Sequence, residues 1–357
     1  MDRRIYIALA SIALVFLSCA HLVEPDNTGS VVLSASVQST SVNFKSAAEA
    51  VPFENISSES PLEAKLLFSY QKGNYSTSNP DDGYASGSDN PYCIPCHTNV
   101  AYVNDALTFI TYTRTGKEPQ NLKYPSSPTE GNSSPAPVYC VGLYPYKVSD
   151  AEGWTINNGT SATHNVDGKT DLMFASEIRG QWNSPFPVQQ YEHLQTWLKV
   201  LVSASTTDAA QKWGKIRKIT VESMKEVKVL FDGTSSDYTT GEKQDIVVFD
   251  DVVGKDLDVT SIQRGSVFVV PPLLRASDNT LIVKVKVYTS VFQSGKEVDV
   301  KLFDIYNNPV TDYSDLKGKL FVMNLNFTPL SVIQGICTLN SWNALDEDLE
   351  LEQVNNN

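Results

Sequence analysis

The clearest pattern in this sequence is a strict alternation of apolar and polar residues in its second half. It occurs at residues 281–288 (LIVKVKVY), 297–303 (EVDVKLF) and 320–327 (LFVMNLNF). Because successive side chains of a strand point to opposite faces, a period of two predicts strands with one buried face. The second half of the chain is therefore predicted to form sheets that cover a core.

Shorter strand patterns extend this prediction to the rest of the chain. They lie at residues 30–37, 64–70, 106–113, 138–146, 197–203, 216–221, 227–231 and 246–249. The helix candidate is residues 207–213, and segments rich in Asn, Asp, Ser, Gly and Pro separate the strands. This order favours an all-β fold of packed antiparallel sheets of the sandwich type. A chain of 357 residues has room for two domains, which we place at residues 31–183 and 184–357.

The first thirty residues have a composition typical of an export signal. Two arginines precede an apolar run at residues 5–17, which is too short to span a bilayer but matches a signal-peptide core. A small residue, Ser18, directly precedes Cys19, as a lipoprotein signal peptidase requires. We expect residues 1–18 to be a lipoprotein signal peptide, Cys19 to carry a diacyl lipid, and residues 19–30 to be a flexible tether. An ordinary secretory signal with a chance cysteine is the alternative.

Charge and motif content exclude several classes of function. The formal net charge is −13, which argues against nucleic acid as a partner because phosphate binding needs a basic surface. No second apolar stretch is long enough to cross a bilayer, so membrane attachment is expected through Cys19 alone. We find no G-x-S-x-G elbow, phosphate-binding glycine loop or acid and base pair, so we do not expect an enzyme.

Five cysteines provide a further set of candidate sites. Apart from Cys19 they are Cys93, Cys96, Cys140 and Cys337, an even number in an exported chain where disulfides persist. Cys93-Ile94-Pro95-Cys96-His97 has the spacing of covalent c-type haem attachment, and its three ligand side chains could also bind zinc. Because the motif lies in a loop of a β-rich chain, we favour a disulfide between Cys93 and Cys96, or their pairing with Cys140 and Cys337. Apart from the covalent lipid, no cofactor is expected.

Several motifs, in their order along the chain, resemble those of the fimbrillin-like proteins of Bacteroidales, which are subunits of type V pili. The motifs are Val141-Gly142-Leu143-Tyr144-Pro145-Tyr146, Asp171-Leu172-Met173-Phe174-Ala175, Tyr191-Glu192-His193-Leu194, Trp213-Gly214-Lys215-Ile216-Arg217-Lys218-Ile219, Leu316-Lys317-Gly318-Lys319-Leu320 and Asn340-Ser341-Trp342. The resemblance covers roughly residues 64–342. It departs from the family at Tyr191, where Phe is usual, and at Cys337.

The resemblance implies two transthyretin-like β-sandwich domains, a lipoprotein precursor and assembly into pili on the outer membrane. In that family a protease cuts after a basic residue and removes the first strand, and a strand of a neighbouring subunit fills the groove. Residues 30–37 would be the removable strand and Lys45 the trimming site, since Lys65 lies within an apolar run. The alternative is a permanent edge strand and a solvated lysine. Residues 348–354 (DLELEQV) could be a donor strand, an edge strand or a disordered terminus.

Two classes of function follow. The first is a structural subunit or adhesin of a surface pilus, with neighbouring subunits as partners and surface glycans or proteins as targets. The second is a monomeric surface lipoprotein that binds glycans. Its carbohydrate platform would consist of Tyr92, Tyr102, Tyr112, Tyr144, Tyr146 and Trp154, although alternating aromatic residues in strands usually belong to the core. The third candidate function is a c-type cytochrome that holds its haem through Cys93, Cys96 and His97.

Overall fold

The computed structural model of this chain describes residues 30–37, 53, 55–76, 94, 96–112, 118, 120–124, 137–146, 153–232 and 241–340. In these residues the regular structure is almost entirely strand, which confirms the predicted all-β fold. The signal peptide, Cys19 and the rest of the tether up to residue 29, Lys45, Cys93 and residues 348–354 lie outside the described residues, and what was expected of them stays a prediction.

Twenty-two strands and one α-helix are described. The strands are β1 Val32–Leu33, β2 Ala35–Val37, β3 Leu62–Ser69, β4 Cys96–Tyr102, β5 Thr108–Phe109, β6 Thr111–Tyr112, β7 Gln120–Asn121, β8 Val138–Tyr144, β9 Thr155–Asn157, β10 Ser161–Asn165, β11 Met173–Gly180, β12 Gln189–His193, β13 Thr196–Ala204, β14 Ile216–Met224, β15 Glu226–Leu230, β16 Lys243–Lys255, β17 Ile262–Val269, β18 Leu274–Arg275, β19 Leu281–Thr289, β20 Lys296–Phe303, β21 Leu320–Phe327 and β22 Ile333–Asn340. The helix α1 is Thr207–Trp213, and a 3-10 turn spans Tyr313–Asp315.

The strongest sequence patterns form the elements that were predicted from them. The three strict alternations are β19, β20 and β21, and in β19 the aliphatic residues are buried whereas Lys284, Lys286 and Tyr288 are half-buried. The helix candidate is α1. The Thr206 hydroxyl accepts a hydrogen bond from the Ala209 amide at 3.1 Å, which caps its first turn. Gly214, with a φ of 69°, ends it in a conformation that glycine adopts readily.

The first large sheet has six strands in the order β2-β12-β11-β8-β3-β4. All neighbours are antiparallel except β2 and β12, which are parallel. Apolar groups cover both faces of this sheet, because consecutive residues of β3 belong to different cores. Leu66 and Phe68 pack on one face, and Leu67 packs on the other with Val141. The middle of the sheet therefore has no face in water.

The second large sheet has the order β16-β14-β19-β20-β22-β21-β13-β17, with β18 beside β19. Two of its pairs, β13 with β21 and β20 with β22, are parallel. The sheet is thus mixed, whereas purely antiparallel sheets were predicted. Parallel neighbours need a long crossover connection, and the chain between β13 and β21 supplies it by forming β14 to β20.

A third sheet links the two halves of the sequence. It has the order β15-β10-β9, so that β15 pairs with a strand far before it in the chain. The expected boundary between residues 183 and 184 does not coincide with a change of sheet, because β12 pairs with β11. Val141, Val229 and Val285 all belong to one continuous core. The division into two domains at that boundary stays a prediction.

Candidate functional site

The N-terminal segment, residues 30–37, has the burial pattern of a strand that inserts one face into a core. Val31, Leu33 and Ala35 have no exposed surface, whereas Val32 and Ser34 are half-buried. Full burial of a Val or Leu side chain stabilises by roughly 1.5–3 kcal/mol. The segment is therefore held mainly by the three side chains on its inward face.

The first half of the N-terminal segment pairs with the chain around residues 108–110 and 122. The Val31 amide donates a hydrogen bond to the Leu122 carbonyl at 2.7 Å, and the Ile110 amide donates to the Val31 carbonyl at 3.0 Å. Next, β1 runs antiparallel to β5, with Leu33 opposite Thr108. This half belongs to the small sheet of β1 and β5, not to the six-stranded sheet.

The second half of the segment joins the edge of the six-stranded sheet. Strand β2 runs parallel to β12, with Ala35 opposite Gln189 and Val37 opposite Tyr191. The Gln189 amide donates to the Ser34 carbonyl at 2.8 Å. The segment thus passes from one sheet to another and closes the apolar core between them. We call the space that it fills, bounded by β12, β5 and residue 122, the strand groove.

Four buried polar side chains meet at the β12 side of the strand groove. The Gln189 Oε1 accepts from the Tyr191 hydroxyl at 3.0 Å and from the Tyr102 hydroxyl at 3.5 Å. The Gln189 Nε2 donates to the Cys140 Sγ at 3.7 Å. A Cβ atom at Gly142 would collide with the Tyr191 hydroxyl, so glycine leaves the room for this network. Burial raises the pKa of Tyr102, Tyr191 and Cys140, and all three stay neutral.

A buried carboxylate fixes the chain after the N-terminal segment. The Asp171 carboxylate accepts a hydrogen bond from the Phe53 amide at 2.8 Å and lies 2.8 Å from the His193 Nδ1. The Phe53 ring also packs against Tyr144, with ring centroids 5.1 Å apart. Lys45 comes between the segment and Phe53 in the sequence. The chain is thus attached to the sheet on both sides of the candidate trimming site.

The described half of the Cys-x-x-Cys-His motif does not fit a haem or a zinc ion. Cys96 is buried in the same core as Phe68. The His97 Nε2 lies 3.1 Å from the carbonyl of Tyr75, which belongs to the core on the other face of the sheet. Neighbouring residues of a strand point to opposite faces, so one bound group cannot reach both side chains. Cys93 lies outside the described residues, and its disulfide with Cys96 stays a prediction.

The second disulfide alternative would pair Cys93 and Cys96 with Cys140 and Cys337, and the described residues do not form such a pair, whereas its part that involves Cys93 stays a prediction. Cys140 and Cys337 are buried free cysteines. Cys96 and Cys140 lie opposite Phe68 from its two neighbouring strands. Two strand spacings put their Cα atoms about 10 Å apart, beyond the limit of about 7 Å for a disulfide. Cys337 lies in β22, in a different sheet from Cys140.

The aromatic residues considered as a carbohydrate platform are mainly part of the packing. Tyr102 and Trp154 are buried, and the Trp154 indole donates a hydrogen bond to the Tyr144 carbonyl at 3.1 Å. The side chains of Tyr92 and Tyr112 are not among those described. Tyr144 and Tyr146 are half-buried, so the described rings of this set do not form one exposed surface.

The residues that the structure describes form neither a metal-ligand cluster nor a membrane-spanning helix. Among them, no group of three or more His, Cys, Asp or Glu side chains is arranged to hold a metal ion. None of the helices formed by those residues combines the length and the apolar character that a membrane span needs.

Sequence reasoning found the N-terminal segment but missed the polar network beside it. Gln189 occupies an inward position of the alternation at residues 189, 191 and 193, where an apolar residue is expected. A glutamine in such a place is a signal for a buried hydrogen-bond network. Asp171 and His193 were noted only as parts of motifs, and their contact joins the residues just before β11 to the end of β12.

Comparisons with known proteins give matches to solved structures only. No protein-family model and no curated protein matches the chain. A candidate cell adhesion protein from Bacteroides uniformis is 14% identical, with a TM-score of 0.46 over 89% of this chain and 100% of that one. A candidate polysaccharide-binding protein from Bacteroides thetaiotaomicron is 9% identical, with a TM-score of 0.43 over 79% of this chain and 89% of that one.

A fimbrial assembly protein from Parabacteroides distasonis is 10% identical, with a TM-score of 0.36 over 78% of this chain and 91% of that one. The predicted likeness to fimbrial and adhesion proteins of Bacteroidales is therefore found among the solved structures.

Proposed function

We propose that this chain is a structural subunit or adhesin of a surface pilus, exported as a lipoprotein through Cys19 and assembled by strand exchange. The observation that carries the proposal is the N-terminal segment, which fills a groove with Val31, Leu33 and Ala35 while its backbone pairs with strand edges. The partners would be neighbouring subunits and, through the lipid, the outer membrane. Surface glycans or proteins would be the targets of adhesion, and the role is not enzymatic.

The physical basis is the state of the strand groove once the segment has left. The Leu122 carbonyl and the amides of Ile110 and Gln189 would lose their backbone partners. At the same time, an apolar core would open to water. An incoming strand restores both the hydrogen bonds and the buried contacts. An interface between the groove of one subunit and a strand of another is head-to-tail, so it extends into a filament.

Lys45 is the basic residue best placed for the cut that frees the segment. A cut there separates the segment from Phe53, which the Asp171 carboxylate keeps attached to the sheet. Lys65, in contrast, lies in β3 and is paired with β4 on one side and β8 on the other. Cleavage after Lys45 would therefore release the segment and leave the six-stranded sheet in place.

Immunogold electron microscopy of producing cells, combined with N-terminal sequencing of sheared surface material, tests the proposal. We expect label on surface fibres and a mature N-terminus at residue 46. An intact acylated Cys19 in fibre-associated protein would identify an untrimmed anchor subunit. In the matched control, Lys45→Ala, the cleavage site is removed, so the protein should keep its N-terminal segment.

Label that is absent from fibres in every preparation contradicts the pilus role. In that case, retention of the monomeric protein on a polysaccharide column would support a surface lipoprotein that binds glycans.

A further inference from the structure

We infer that the strand groove selects its strand by side-chain size: large aliphatic residues at the first two inward positions and Ala, Gly or Ser at the third. The inference rests on the proposed strand exchange. It restricts the neighbouring subunit to one whose donor strand has this order of side-chain sizes. The three positions are those of Val31, Leu33 and Ala35, which are all fully buried.

The third position is small because it faces Gln189. Ala35 and Gln189 are directly opposite each other in the parallel pair of β2 and β12, so their side chains lie side by side on one face of the sheet. Gln189 has no exposed surface. Because Ala35 is fully buried in the core, a larger side chain at the third position would overpack the core beside Gln189.

The polar network cannot move aside to make space for a larger side chain. The Gln189 side chain is held by the Tyr191 hydroxyl at 3.0 Å and by Cys140 at 3.7 Å. The Tyr191 hydroxyl in turn lies so close to Gly142 that even a Cβ atom there would collide with it. Displacing Gln189 would leave buried hydroxyl groups without partners, which is costly in a low-dielectric interior.

The first two positions require large apolar side chains. Val31 and Leu33 belong to an apolar core together with Ile110 and Leu122. A small residue at either position would leave a cavity, and a charged one would be buried without a partner. The order of large, large and small is thus fixed by different neighbours at the two ends of the groove.

The donor candidate at residues 348–354 meets only two of these three requirements. If Leu349 and Leu351 take the positions of Val31 and Leu33, Gln353 falls on the third position. Insertion in the reverse direction places a glutamate, residue 347, there instead. We therefore expect the natural occupant to be a strand of a neighbouring subunit with the large, large and small order, and not its residues 348–354.

Peptide exchange into the full mature chain tests this inference. A sequence-specific protease site is placed across residues 43–48 and cut, and labelled peptides are added to the cut protein. The peptides are residues 30–37 (SVVLSASV), the same with Ala35→Leu, and the matched control with Ser36→Leu, which enlarges an outward position that is half-buried. A peptide of residues 347–354 is compared with its Gln353→Ala form.

Overpacking predicts that the Ala35→Leu peptide binds at least about fivefold more weakly than the native peptide, while the Ser36→Leu peptide stays within about twofold. Gln353→Ala should strengthen the binding of the 347–354 peptide. In a Gln189→Ala protein, the disadvantage of the Ala35→Leu peptide should disappear.

Equal binding of the native and Ala35→Leu peptides would overturn size selection and leave strand exchange intact. Failure of every peptide, including the native one, to enter the cut protein would overturn strand exchange as well.

Discussion

Leu33→Ala is the substitution that most directly probes how the N-terminal segment is held. Leu33 has no exposed surface, and truncation of a buried leucine costs about 2–5 kcal/mol. The backbone hydrogen bonds of the segment contribute only about 0.5–1.5 kcal/mol each. One truncated side chain therefore removes a large part of the free energy that holds the segment in the groove. After a cut between the segment and Phe53, the dissociation constant of the segment should rise about 25-fold or more.

Mass spectrometry of the cut chain after gel filtration measures this effect, because it reports the fraction of molecules that still carry the segment. The matched control is Val32→Ala, which removes an aliphatic side chain from the same strand at a half-buried position. The control should lose its segment much more slowly than Leu33→Ala. Equal rates of loss for the two variants would refute the view that inward side chains hold the segment.

Three further predictions concern the surroundings of the strand groove. Gly142→Ala should lower the free energy of unfolding by about 1–3 kcal/mol, measured in urea, because the new Cβ collides with the Tyr191 hydroxyl. Asp171→Asn should cost about 1.5–3 kcal/mol by weakening the hydrogen bond from the Phe53 amide, and an unchanged urea midpoint would contradict this. Burial lowers the pKa of His97 below 6.5, so the unfolded chain binds a proton at higher pH than the folded chain does. Stability should therefore fall as the pH drops below 6.5 towards the folded-state pKa of His97, by at most about 1.4 kcal/mol per pH unit. His97→Gln should reduce that loss in urea titrations at pH 7.5 and 5.5.

The sequence predicted those elements whose burial is periodic. The alternations at 281–288, 297–303 and 320–327 became β19, β20 and β21 because hydrophobic burial on one face decides both the pattern and the strand. The same signal located the N-terminal segment. Its inward residues are as regularly spaced as those of a central strand.

Strand partners could not be predicted in the same way. Alternation specifies which side chains face the core but not which strand lies alongside or in which direction it runs. The sequence pattern therefore could not predict that β13 pairs with β21 in parallel or that β15 lies beside β10.

The candidate site was predicted only in its apolar part. Gln189 interrupts the apolar alternation of β12, and its partners Tyr102 and Cys140 come from two distant strands. Cys96 was expected in a loop, but it begins β4 and buries its side chain in the core. In both places the deciding interaction joins residues that are far apart in the sequence.

Native mass spectrometry of the cut mature chain, incubated with an excess of isotopically labelled 30–37 peptide, tests the central claim most directly. The claim is that the N-terminal segment is an exchangeable strand held in a groove. It predicts a mass shift in which the labelled peptide replaces the original segment, while the uncut chain takes up none. A cut chain that keeps its original segment and binds no labelled peptide would contradict it.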